Sequence, residues 1–175
     1  MRVSPDTPAA AEDEKSEDDS ITPAALHRIT EELAGPEPLA ASETLKRVWA
    51  GLCVARLLGL RLAASGLGAL QGNAEAVEHQ LAQDLRTTAT FSGVPLRLPA
   101  PAAPLPLRPA EVEAALAALV GFSRAARRRM LASAGSAAQW HDERVLRHDS
   151  LVVGELEAAW LGRRRSYRVD RPPRT

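Results

Sequence analysis

Residues 92–109 read SGVPLRLPAPAAPLPLRP, and six of these eighteen positions are proline. A proline ring fixes φ and removes an amide donor, so neither an α-helix nor a central strand runs through such a stretch. It reads as extended polyproline II, which at about 3.1 Å per residue reaches about 50 Å. A twenty-residue helix is only about 30 Å long. The segment can therefore run the full length of a helical bundle as a crossover, or equally link two separate helical hairpins. Pro101-x-x-Pro104 lies within it, but no arginine stands where common SH3-ligand patterns want one.

On either side of this segment the apolar residues follow helical spacing. Upstream, Thr22-Pro23 has the form of an N-cap followed by proline at the first helical position, and Gly35-Pro36 that of a stop. Leu26, Ile29 and Leu33 give the stripe of a short helix over 23–34. Ser42 is placed to cap a second helix, whose residues 45–64 are apolar nearly all round, the pattern of a central helix. Gly66 and Gly68 end or bend it. A third helix follows over 69–88, with Val77, Leu81 and Leu85 facing inward. Downstream, Pro109 opens a fourth helix whose buried face carries Val112, Leu116, Leu119, Val120 and Met130. Gly135 closes it. Ser136 to Gln139 match a capping box, which starts a fifth helix that runs to Leu161 and stops at Gly162. No segment reads as a strand. The expected fold is all-α: a bundle of four longer helices plus a short N-terminal one, with a proline-rich crossover at 92–109.

Composition fits that architecture. Aromatic residues make up only 3% of the 175, so Leu, Val and Ala must build the core. Arginine outnumbers lysine 20 to 2, a high-GC coding bias that points to a bacterial source. The single Cys53 excludes an intrachain disulfide and any cysteine-rich zinc site. The acidic N-terminus is not a secretory signal, and Arg56 and Arg61 interrupt the most apolar run, so a cytoplasmic protein is expected. The zero net charge is a cancellation. Residues 1–20 hold seven acids and two bases; residues 163–175 hold six arginines and one aspartate. The expected organisation is a disordered acidic tail (1–21), a helical domain (22–162) and a flexible basic tail (163–175).

The stretch 140–149, WHDERVLRHD, is the densest concentration of chemically active side chains. His141 and His148 are seven residues, about 10.5 Å, apart on a helix, too far to share one metal. The His-x-x-x-His spacing of helical zinc sites is absent, as is the Glu-x-x-His of di-iron bundles. His148-Asp149 spells the dipeptide of HD phosphohydrolases, but that chemistry needs a further upstream His and downstream Asp, and only Asp170 follows. No metal site and no cofactor are expected. Asp142 and Asp149 fall within the apolar arc formed by Val145, Leu146, Val152, Val153, Leu156 and Trp160. A buried carboxylate needs a partner. Folding the fourth and fifth helices about Gly135 brings Arg127 level with about residue 143 and Ser123 level with about 147. The expectation is a structural polar clip: Arg127 on Asp142, with Asp149 near Ser123 or Arg127.

Two arginine groups remain. Arg124, Arg127, Arg128 and Arg129 complement the dipole at the end of the fourth helix. Arg163, Arg164, Arg165 and Arg168, with Tyr167 among them, form a candidate basic contact for phosphates or for an acidic protein. No phosphate-binding glycine loop and no nucleophile elbow occur. The function expected by elimination is interaction: a small helical adaptor, accessory subunit or scaffold without catalysis of its own. It would meet a protein partner or a second copy through apolar surface of the helix at 45–64. The alternatives are a nucleic-acid-associated protein using the arginine-rich tail and a helical-bundle enzyme, possibly metal-dependent.

Overall fold

The computed structural model describes residues 21–163. They form five α-helices, with no strand among the described residues: α1 (Pro23–Ala34), α2 (Ala41–Leu62), α3 (Gly68–Arg86), α4 (Pro109–Ser133) and α5 (Trp140–Trp160). The chain is all-α, as its periodicity implies. Short 3₁₀ turns at Ala89–Phe91 and Ala134–Ser136 lie in the connections.

Several boundaries follow directly from local chemistry. Pro23 occupies the first helical position of α1, and Gly35 ends it. Pro109 does the same for α4, where the Glu111 carboxylate turns back to accept from the Arg108 amide at 3.1 Å. Gly162 stops α5 in the left-handed region at φ 67°. Its amide bonds to Ala159 and that of Arg163 to Ala158, the paired bonds of a Schellman ending. Two starts differ from expectation. α2 begins four residues before Leu45, so Ser42 lies in its first turn rather than at its cap. α5 begins at Trp140, and the expected capping box is not formed. Ser136 sits in the preceding 3₁₀ turn and spends its hydroxyl on the Ser133 carbonyl.

α2 and α3 are a hairpin. Gly66, at φ 96°, supplies the left-handed residue that reverses the chain. By length and composition alone the 41–86 stretch would pass for a membrane span. In this bundle Leu45, Val48, Leu52, Ala55, Leu58 and Leu62 are buried, and Trp49, Val54, Leu57 and Leu60 are half-buried. Two glycines let neighbours approach α2 closely. A Cβ on Gly51 would fall 2.1 Å from the Phe122 ring, and one on Gly59 would meet Gln71 and Trp160.

The long-range polar contacts fix helix direction. Arg61, near the end of α2, donates to the Ile21 carbonyl just before α1 and to the Leu105 carbonyl just before α4. Arg129, near the end of α4, donates to the Leu33, Gly35 and Glu37 carbonyls at the end of α1. α1 and α4 therefore run parallel to each other and antiparallel to α2. α5 returns antiparallel to α4, tied by Arg124 to Glu157 at 2.7 Å. α2 is flanked by α3 and α4, and α5 packs between the same two helices on the opposite side, with α1 against α4 and α2.

The proline-rich segment is a crossover, since it leaves the α3 end and delivers the chain beside the α2–α3 turn. Leu96 and Leu107 insert into the core and Leu98 packs against it. The Leu107 amide donates to Ser65 Oγ at 2.8 Å, which anchors the segment where α4 begins. With these neighbours in place, α2 shows no exposed large apolar side chain. On the helix at 45–64, where spare apolar surface is expected, Trp49, Val54, Leu57 and Leu60 stay half-accessible.

Candidate functional site

The seam between α3 and α5 gathers the titratable side chains that the fold leaves accessible on one side. Asp84 comes from the last turn of α3 and Thr87 from its C-terminal cap; His141, Arg144, Val145 and His148 come from one face of α5. Together they line a cleft of about 460 Å³. His141 Nε2 lies 2.9 Å from Thr87 Oγ1 at the rim. His148 Nε2 lies 3.8 Å from Asp84 Oδ2, and Gln80 donates to that same oxygen at 2.8 Å.

Behind His148 the next residue of α5, Asp149, points inward and is fully buried. Neither of its carboxylate oxygens has a hydrogen-bond donor among the described residues. One donor atom from each of Asp84, His148 and Asp149 lies within 4.8 Å of the other two. Burial raises the Asp149 carboxyl to about 8, with the neighbouring Asp84 adding to the effect. A second buried carboxylate, Glu78, provides the contrast. Arg56 on α2 meets it at 2.8 Å, Gln71 donates to it at 3.1 Å, and Arg56 also reaches Glu75 at 2.9 Å. Burial still raises Glu78, but Arg56 opposes the rise. Asp149 has no such cation. Arg144 is turned over the Trp140 ring, 5.3 Å from its centroid, and Arg147 is held by Glu143 at 2.8 Å.

The expected polar clip is therefore not formed as drawn. Asp142 is buried, but its carboxylate accepts from the Ala89 amide at 2.9 Å and so caps the 3₁₀ turn after α3. Ser123 is buried and returns its hydroxyl to the Leu119 carbonyl in its own helix. Arg127 is exposed and lies along Gly154, eleven positions beyond the expected level. The connection after α4 is longer than a tight turn at Gly135. A 3₁₀ turn and the extended residues Ala137 and Gln139 come before α5 begins, so the helices pair in a different register. The partner that sequence reasoning missed for Asp149 is Asp84. Its one visible signal is position: it stands three residues after Leu81 and one before Leu85, at the edge of the buried stripe of α3.

The α4 arginines also serve differently from expectation. Arg129 satisfies the open carbonyls of α1, and Arg124 pairs with Glu157 on α5. Of the candidate basic contact, Arg163 is exposed just beyond α5, while Arg164, Arg165, Tyr167 and Arg168 lie outside the described residues, as does the acidic stretch 1–20.

α5 carries a second surface, facing away from the bundle. Trp140 is 72% exposed and Leu151 66%, with Arg144 and Arg147 between them at helical spacing. No protein-family model, no curated protein sequence and no solved structure matches this chain.

Proposed function

We propose that the chain is a small helical interaction protein: an adaptor, accessory subunit or scaffold that docks through the outer face of α5. The observation that carries this reading is the ridge Trp140–Arg144–Arg147–Leu151. A tryptophan left 72% exposed, with a guanidinium stacked 5.3 Å from its ring, is costly to leave in water and useful in an interface. Tryptophan and arginine are the residue types that dominate binding hot spots. The helix at 45–64 is a weaker docking surface, because none of its large apolar side chains is fully exposed. The occupant of the ridge is a protein partner or a second copy of the chain, and a cytoplasmic setting suits the lone Cys53.

The test is co-purification from native expression levels, paired with light scattering to fix the oligomeric state. The double variant W140A/L151D keeps its melting temperature, because both side chains lie outside the core, and it loses the partner or dimer that the native chain retains. A native chain that is a stable monomer and retains nothing above control defeats the proposal, as does a variant that retains the same partner. A partner released by nuclease would move the assignment to the arginine-rich tail.

A further inference from the structure

Asp149 is the one buried carboxylate of the described chain with no amide, hydroxyl or cation partner, and its neighbours are another carboxylate and an imidazole. Burying an uncompensated charge is costly, and natural proteins resolve the cost by pairing, protonation or metal coordination. No cation is available for pairing here, and without a metal the cost falls on a proton held against Asp84. The two arginines of α5 are engaged with Trp140 and Glu143.

We infer that Asp84, His148 and Asp149 form a binding site for one divalent first-row transition ion, with Zn²⁺ as the type, at the seam between α3 and α5. The donor set carries the choice of ion. Two carboxylate oxygens and one imidazole nitrogen match the mixed N/O sites of zinc and its neighbours, whereas calcium and magnesium prefer all-oxygen cages. Three atoms no more than 4.8 Å apart leave a central point within about 2.8 Å of each, and zinc bonds to nitrogen and oxygen at about 2.1 Å. The ligands must close by several tenths of an ångström. The His148 ring is 59% exposed and free to swing, so it supplies that movement. Gln80 already holds Asp84 by its Oδ2, the kind of outer contact that orients a metal-bound carboxylate. Three protein ligands leave at least one position of a tetrahedral ion open toward the cleft, where His141 and Thr87 stand at the rim. The seven-residue separation of the two histidines still keeps His141 out of the first ring of ligands. The nitrogen comes from His148 alone, and the carboxylates come from two different helices.

The inference stands independently of the docking ridge, and its test needs no partner. Full-length protein stripped with chelator is titrated with Zn²⁺ by calorimetry and with Co²⁺ by visible absorption. The native chain should bind one ion with a dissociation constant in the micromolar range or tighter, and Zn²⁺ should raise its melting temperature. H148A and D149N should each weaken binding at least about tenfold and abolish the thermal shift, while H27A on α1, distant from the seam, should bind as the native chain does. Absence of stoichiometric binding overturns the inference. So does native-like affinity in both ligand variants, or displacement of Zn²⁺ by equimolar Mg²⁺ or Ca²⁺. If D149N fails to fold, H148A decides, since its side chain is mostly outside the packed core.

Discussion

Asp149 and Glu78 are both fully buried carboxylates, and only Glu78 has a guanidinium beside it. That difference sets the pH response of the metal-free protein. The folded state lifts the Asp149 carboxyl to about 8 from an ordinary 3.8, with Asp84 and His148 as the titratable groups facing it. Between those values the folded chain holds a proton that the unfolded chain has released. The stability this group contributes is full below about pH 4 and is lost as pH rises toward 8, with a slope of up to about 1.4 kcal/mol per unit. In chelator-containing buffer, D149N should flatten that slope. Its advantage over the native chain should be largest near pH 8 and vanish near pH 4. Denaturant melts across the window check this, and a native chain that gains stability from pH 4 to 8 through this group would contradict it. Arg129 is the opposite case, a charge fully used. Its guanidinium serves three carbonyls at the end of α1, so R129A should cost about 2 kcal/mol and R129K most of that, because an ammonium lacks the fork. Equilibrium unfolding measures both.

At the scale of the helix, α2 packs against α1, α3 and α4, and small residues let its neighbours come close. Gly51 faces the Phe122 ring with no room for a methyl group, and the ring is itself fully buried. G51A should destabilise the protein by about 1–3 kcal/mol. Gly72 on α3 faces open space at an ordinary helical φ, so G72A should instead stabilise by about 0.5–1 kcal/mol. Opposite signs from the same chemical change, read by thermal melts, separate close packing from helix propensity. α5 is divided differently. Leu146, Val153, Leu156 and Trp160 hold it in the core, His141 and His148 turn to the α3 seam, and Trp140 and Leu151 face outward. One helix thus presents both the proposed metal ligands and the proposed docking ridge, on faces about a quarter to a half turn apart.

At the scale of the whole molecule, the crossover contributes two side chains to the core. It is pinned by Leu96 and Leu107, while residues 100–103 between those anchors are exposed. L107A should cost about 2–4 kcal/mol and P101A under about 0.5 kcal/mol, a contrast that denaturant midpoints resolve. Equal effects at the two sites would show that the segment acts as a tether rather than as part of the core.

Much of this was written in local chemistry. The limits of α1 at Pro23 and Gly35, the start of α4 at Pro109 and the stop at Gly162 follow from residues that permit few backbone conformations. The inward stripes of α3 and α5 follow from a 3.6-residue period, which says which side of a helix is buried. It does not say how far along a neighbour that side will sit. Placing the turn at Gly135 put Arg127 beside Asp142; the longer joint puts it beside Gly154 and leaves Asp142 to cap the turn at Ala89. Asp84 and Asp149 are 65 positions apart with the crossover and α4 between them. No short loop ties α3 to α5, so nothing local could place those carboxylates together. The sequence determined helix identity, the ends marked by proline or glycine and the inward stripes of α3 and α5, because these depend on bonds and contacts within a few residues. On α4 the expected Val112, Leu116 and Val120 are only half-buried, and the face is rotated toward Ala115, Phe122 and Ala126. The tertiary structure alone decided register and the meeting of distant side chains, because these depend on how whole apolar surfaces fit against one another.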